Sequence, residues 1–200
     1  MGKIVISANA TLDGVVQDPD GQEGFELGGW FRQSVGDADL ADWVVRETEE
    51  VLGAAALLLG RRSCEWFASR MPSSEVRVSP EWADRMNSIP KYVVSSTLEH
   101  PRWSNVTVLN GDAAQEISEL KRTVDGEILV YGSYRLVRTL IEQGLADELR
   151  LAVFPVVLGT GVRLFDETSA EKPLHLVDTR KIGDGLVFCT YAFAQGIHAG

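Results

Sequence analysis

Positive charge, cysteine and histidine are all scarce in this chain, and each shortage removes a class of function. Nineteen Lys and Arg stand against 29 Asp and Glu, a formal net charge of −10. A nucleic-acid or anionic-membrane surface needs a basic stripe, so neither partner is expected. The two cysteines, Cys64 and Cys189, form no CxxC or Cys/His spacing. They read as reduced core thiols of a cytoplasmic protein. His100, His175 and His198 are isolated, with no zinc spacing and no nucleophile partner. GxxxxGK[ST] and GxSxG are missing, and Gly159-Thr160-Gly161-Val162-Arg163-Leu164 lacks the third glycine of GxGxxG. No apolar run approaches the roughly 20 residues of a membrane span. The opening MGKIVISANATLDG enters a strand without a secretory apolar region.

What is present is a regular alternation. Two hundred residues, 44% hydrophobic and without repeats or linkers, suit one domain over 1–200. Apolar runs predict strands at 3–9, 55–60, 91–96, 105–109, 127–132 and 148–159, then near 174–178 and across 185–194. Helical periodicity falls at 37–52, 112–124 and 133–143, with Asp112 and Ser133 as expected caps. Strands that alternate with helices imply an α/β sheet covered on its faces. The last two strands read as an antiparallel hairpin, and Pro155 implies a bulge or an edge in the long strand. Two stretches, 14–36 and 68–90, read as long irregular loops.

Chemistry gathers at three strand-to-helix corners: Gly60-Arg61-Arg62-Ser63, Ser95-Ser96-Thr97 and Gly132-Ser133-Tyr134. Ligands of open α/β sheets bind beyond the carboxyl ends of the strands. Glycine and serine there admit a ligand to the backbone, and a helix start offers N–H donors and partial positive charge to a phosphate. Arg61 and Arg62 add full charge with bidentate geometry. Together the corners suit an elongated, multiply phosphorylated ligand such as a dinucleotide.

The ordered set Thr11-Leu12-Asp13-Gly14, Leu59-Gly60-Arg61-Arg62-Ser63, Lys91-Tyr92-Val93-Val94-Ser95, Val130-Tyr131-Gly132-Ser133, Gly144-Leu145-Ala146-Asp147-Glu148-Leu149 and Pro155-Val156-Val157-Leu158-Gly159-Thr160-Gly161 resembles the dihydrofolate reductase-like superfamily. The branch is the one related to the reductase domain of bacterial riboflavin biosynthesis, and the match covers about 3–194. The resemblance implies an α/β three-layer fold with an eight-stranded, mostly parallel sheet and an antiparallel last strand. It implies NADPH as hydride donor. Gly60, Arg61 and Ser63 match the corner that binds cofactor phosphates, including the 2′-phosphate. Ser95, Ser96 and Thr97 match the adenosine side. Gly132, Ser133, Tyr134 and Leu136 match the pyrophosphate cradle, with serine in place of a second glycine. Ala10, Thr11, Leu12 and Gly14 match the start of the loop over the nicotinamide.

Asp13 and Glu148 are the candidate catalytic carboxylates, to orient substrate or relay a proton. Asp39 and Asp42 lie on the helix that carries the substrate carboxylate in true dihydrofolate reductases, but the local pattern differs, which argues against folate. Trp30, Phe31, Trp43, Trp66 and Phe67 are core or substrate-wall aromatics. The H-x-E and P-C-x-x-C signatures of the zinc deaminase that accompanies such reductases are absent. The expected activity is NADPH-dependent reduction of a small heterocyclic or carbonyl substrate, of the 5-amino-6-(5-phosphoribosylamino)uracil reductase type or dihydrofolate reductase-like. The alternative is a nucleotide- or drug-binding module without turnover. A homodimer is expected, with no metal.

Overall fold

The computed structural model describes residues 1–71, 79–165 and 170–194. Its strands are β1 (Lys3–Thr11), β2 (Ala54–Gly60), β3 (Lys91–Val94), β4 (Val106–Leu109), β5 (Glu127–Tyr131), β6 (Glu148–Phe154), β7 (Leu174–Ile182) and β8 (Leu186–Phe193). The helices are α1 (Trp30–Gln33), α2 (Asp37–Gly53), α3 (Arg61–Arg70), α4 (Pro80–Ser88), α5 (Ala113–Thr123) and α6 (Tyr134–Glu142). The strands form one sheet in the order β4-β3-β2-β5-β1-β6-β8-β7. By internal contacts the chain divides into two compact units. Unit 1 is Met1–Ile6 with Val44–Asp147, and unit 2 is Ser7–Trp43 with Glu148–Gly200.

In unit 1, β2 runs parallel to β3 and β5, and β3 runs parallel to β4. A strand covered on both faces gains nothing from polar alternation, which is why Leu57, Leu58 and Leu59 are all fully buried. Trp82, Met86, Ile89 and Trp103 pack on Leu57, Leu59, Val93 and Leu129 to close this core. Lys91 is fully buried at the head of β3. Its ammonium donates to the carbonyls of Asn87, Ile89 and Ser104 at 3.2, 2.9 and 3.2 Å and lies 4.4 Å from the Trp103 ring centroid. Burial pulls its pKa down to about 8.

In unit 2, β8 pairs antiparallel with both β6 and β7, the expected terminal hairpin. Asp39, near the start of α2, holds the hairpin turn by accepting from the N–H groups of Asp184 and Gly185, at 2.5 and 3.1 Å. It also accepts from Gly36 N–H at 3.0 Å, and these backbone donors lower its pKa. Gly183 has φ of +54°, and a Cβ there would collide with the Asp39 carboxylate, so the turn requires glycine.

Three local expectations are corrected. The strand expected over 148–159 stops at Phe154: Pro155 has no N–H to continue the ladder and acts as a terminator, not as an internal bulge. The stretch 68–90 is not irregular throughout, because α3 runs on to Arg70 and α4 occupies Pro80–Ser88. Ser79 caps α4 by accepting from Trp82 N–H, with Pro80 in its first turn. Pro72, Ser73 and Ser74 of that stretch lie outside the described residues, as does His198. Ser133 is not a side-chain cap for α6; its backbone is left-handed, at φ 56°.

Candidate functional site

The unit 1 corners are built from reciprocal serines. The Ser63 hydroxyl oxygen accepts from Ser133 N–H at 2.9 Å, and the Ser133 hydroxyl oxygen accepts from Gly60 N–H at 2.9 Å. The β2–α3 and β5–α6 corners are thereby fastened together. Each hydroxyl accepts from a backbone donor and keeps its own O–H free to donate. Gly132 has φ of +55°, and a Cβ there would sit 3.1 Å from Ser63 Oγ. Position 132 therefore takes glycine for two independent reasons. Ser133 adopts the left-handed region too, which explains why a second glycine is the alternative at that position, and its bond to Gly60 offsets the strain.

Neither α3 nor α6 has a side-chain cap or an acidic residue in its first turn. Their first N–H groups are not absorbed by capping, and the helix dipoles leave partial positive charge there. Arg61 adds a guanidinium, which donates to Glu65 at 2.8 Å and to the Thr97 hydroxyl at 2.8 Å. The Arg-Arg corner and the corner after β3 thus meet through Arg61 and Thr97. Ser95 shapes that second corner by accepting from the N–H groups of Thr97 and Leu98. Ser96 and Arg62 are exposed, and Tyr134 is half-buried. Leu136 is buried with Val137, Leu140 and Ile141, so its side chain serves the core and only its backbone belongs to the helix start. This donor set fits the phosphates of a dinucleotide: two helix starts, two hydroxyls and a guanidinium, with Gly132 leaving clearance that any Cβ would fill.

Unit 2 carries the other candidates. Ala10 and Thr11 end β1 buried, Leu12 is exposed, and Gly14 turns the chain at φ of +82°. Thr11 closes the turn twice: its hydroxyl accepts from Val15 N–H and donates to Asp13 at 2.7 Å. The Asp13 carboxylate also accepts from Leu158 and Gly159 N–H, at 3.2 and 2.8 Å, and lies 3.6 Å from the Arg163 guanidinium. The Thr11 hydroxyl and these backbone donors hold its pKa down at about 2. A carboxylate held there stays ionised at neutral pH, so it can fix a loop or a donor but holds no proton to give. Glu148 accepts from Arg150 Nε at 2.7 Å within β6, both side chains being largely enclosed. Asp39 is committed to the hairpin turn.

Trp30 and Phe31 pack with Phe154 in the unit 2 core, while Phe67 packs in the unit 1 core. Burial raises the pKa of Cys64, first of all causes, so its thiol stays protonated core material. The partners of Asp13 were hidden from sequence reading because Leu158, Gly159 and Arg163 lie about 150 positions away. The Arg150 partner of Glu148 had an available signal, since residues two apart share a strand face. Among the described residues, no group of His, Cys, Asp and Glu is arranged to hold a metal, and no helix is long and apolar enough to cross a membrane.

Solved structures share the fold. A Shewanella sp. PV-4 protein named for riboflavin biosynthesis is 20% identical, with a TM-score of 0.73 over 96% of this chain and 99% of that one. Acinetobacter baumannii RibD is 14% identical at TM-score 0.61, covering 98% of this chain and 59% of RibD. Dihydrofolate reductase from Enterococcus faecalis, complexed with NADP(H) and RAB-propyl, is 16% identical at TM-score 0.55, covering 96% of each chain. The protein is therefore of the dihydrofolate reductase-like fold class, as its motif order implied. Its sequence goes further: the chain belongs to the RibD C-terminal domain family, which it matches over residues 2–188. It is also similar to the uncharacterized protein YyaP of Bacillus subtilis (strain 168), at 27% identity over 94% of each chain.

Proposed function

We propose that this protein is an NADPH-dependent reductase of a small heterocyclic or carbonyl substrate, of the riboflavin-pathway type. The observation that carries the reading is the pair of uncapped helix starts joined by Ser63 and Ser133, with Arg61 reaching Thr97 beside them. Gly60, Gly132 and the starts of α3 and α6 hold the pyrophosphate, the two serine hydroxyls donate to it, and Arg61 with Thr97 takes the 2′-phosphate. Ser95, Ser96 and Thr97 flank the adenosine. When bound, the cofactor supplies the hydride. The family resemblance gives Ala10 to Gly14 the nicotinamide loop, whose turn Asp13 holds, and makes Glu148, paired with Arg150, the second candidate to orient substrate. Family membership and the reductases of the same fold support a reductase as such.

Titration with NADPH and NADH, followed by melting temperature, tests this. NADPH stabilises the protein more than NADH, and Arg61→Ala removes most of that difference, at least tenfold in relative affinity. Equal loss of both cofactors in Arg61→Ala, or no stabilisation by either, overturns the assignment.

One observation favours the second reading, a nucleotide- or drug-binding module. Asp13 is held ionised at about pKa 2 and relays no proton. That reading expects NADPH binding with no oxidation of it in the presence of heterocyclic carbonyl or imine compounds. On either reading we take residues 1–200 as one cytoplasmic domain. We take it to form a homodimer, supported by Leu176 and Val177 exposed on the edge strand β7.

A further inference from the structure

Arg61 opens α3, and its guanidinium is held from two sides. On one side Nε donates to the Glu65 carboxylate at 2.8 Å, one helical turn further on. On the other, Nη1 donates to the Thr97 hydroxyl at 2.8 Å and to the Thr97 carbonyl at 3.4 Å. A guanidinium grips a phosphate through two neighbouring N–H groups of one edge. It has two such edges, Nε with Nη2 and Nη1 with Nη2, and each already gives one nitrogen to a protein acceptor. No two-pronged edge is open until one of these acceptors yields.

The two acceptors are not equivalent. Thr97 is neutral, so a phosphate can share the guanidinium with it without repulsion. Glu65 has the same sign of charge as a phosphate and offsets the charge of Arg61. It is also loosely held: the side chains of Arg61 and Glu65 are 45% and 49% exposed, and an exposed pair one turn apart on a helix contributes little. A phosphate displaces such a carboxylate at a modest cost. A ribose hydroxyl displaces nothing and meets no repulsion, and a carboxylate is a ready acceptor for it.

We infer that Glu65 is a specificity-determining residue that competes with the 2′-phosphate of NADPH for Arg61 and so narrows the preference for NADPH over NADH. The inference rests on the cofactor reading and adds to it a residue that works against Arg61. Two effects of Glu65 oppose each other at this corner. It steadies the guanidinium, which favours a phosphate, and it occupies and neutralises the same group, which disfavours one. Steadying is worth little in a pair this exposed, whereas the carboxylate acts on a phosphate that carries nearly two charges. Competition is the larger effect.

The test titrates NADPH and NADH separately into the full chain, with binding and melting temperature as readouts. Glu65→Gln keeps the length of the side chain and removes its charge. It should bind NADPH about fivefold more tightly than the parent and NADH within about twofold, so that the ratio of the two affinities rises. Added salt should shrink the gain, because the pair is solvent-exposed. In an Arg61→Ala background the same substitution should change the ratio by less than about twofold, since the contested guanidinium is gone. A ratio that Glu65→Gln leaves unchanged or lowers overturns the inference, and so does a gain of equal size without Arg61. In those cases normal binding of NADPH by the parent leaves the cofactor reading intact. A parent that binds no NADPH overturns the cofactor reading, and this inference with it.

Discussion

Four helices of unit 1 begin in two opposite ways. α4 and α5 are closed: Ser79 accepts from Trp82 N–H, Asp112 accepts from Gln115 N–H at 3.0 Å, and Glu81 and Glu116 sit in their first turns. α3 and α6 are open, and α3 places two arginines at the positive end of its own dipole. Self-contained stability asks for acids and caps at that end. The starts that ignore the rule are the ones joined by Ser63 and Ser133. The difference separates helix ends finished by their own sequence from helix ends without caps or first-turn acids, the feature on which the proposed cofactor site rests.

The largest effect should come from removing the clearance between the two open starts. Gly132→Ala forces a Cβ into a left-handed backbone, at about 1–2 kcal/mol, and against Ser63 Oγ as well. Chemical unfolding should register that loss, and NADPH affinity should fall more than tenfold. An alanine variant that binds NADPH normally would show that the two corners do not form a cradle.

A sharper contrast lies in unit 2, where the Asp13 carboxylate is as fully used as the unit 1 corners are unused. Its folded pKa of about 2 lies below the ordinary 3.8. A depressed carboxylate contributes stability above its unfolded pKa and loses it as pH falls through the folded one. Asp13→Asn should therefore be less stable than the parent at pH 7. The gap should close between pH about 4 and 2, as followed by melting temperature. A gap independent of pH would mean that the charge of Asp13 does not hold the 158–159 segment.

How much of this was legible follows from the range of each interaction. The apolar runs gave eight strands, because burial on both faces writes itself directly into composition, as at Leu57–Leu59. The Asp112 cap was legible because its partner is three residues away. Ser133 was misread for the opposite reason: its hydroxyl partner, Gly60 N–H, is 73 positions distant, and only the fold makes that bond outcompete a local cap. The motif Ser79-Pro80-Glu81 is a local start signal for α4, within the stretch 68–90 expected to be irregular. Arg61 was expected as a phosphate ligand from the three corners taken together and from the family resemblance, while its reach to Thr97 needed β2 and β3 side by side.

The capped helices supply the control. Ser79→Ala and Asp112→Ala should each lower stability by about 1 kcal/mol and leave NADPH affinity within twofold. If either weakened cofactor binding as Gly132→Ala does, the division into closed and open starts would lose its meaning.

The smallest effect is the most discriminating, because it has the opposite sign in the two states of the protein. Arg62 is exposed in the first turn of α3, where its charge opposes the dipole. Arg62→Glu gives α3 the acidic first turn that α4 and α5 already have, and should raise the melting temperature of the cofactor-free protein by about 1–2 °C at low salt. The same carboxylate repels a phosphate bound at that helix start, so NADPH should stabilise the variant less than the parent. Added salt should shrink both changes, since the group is solvent-exposed. A variant more stable in both states would mean that α3 is an unfinished helix end with no anion to receive. A gain without cofactor that turns into a loss with it ties the misplaced arginines to a bound phosphate.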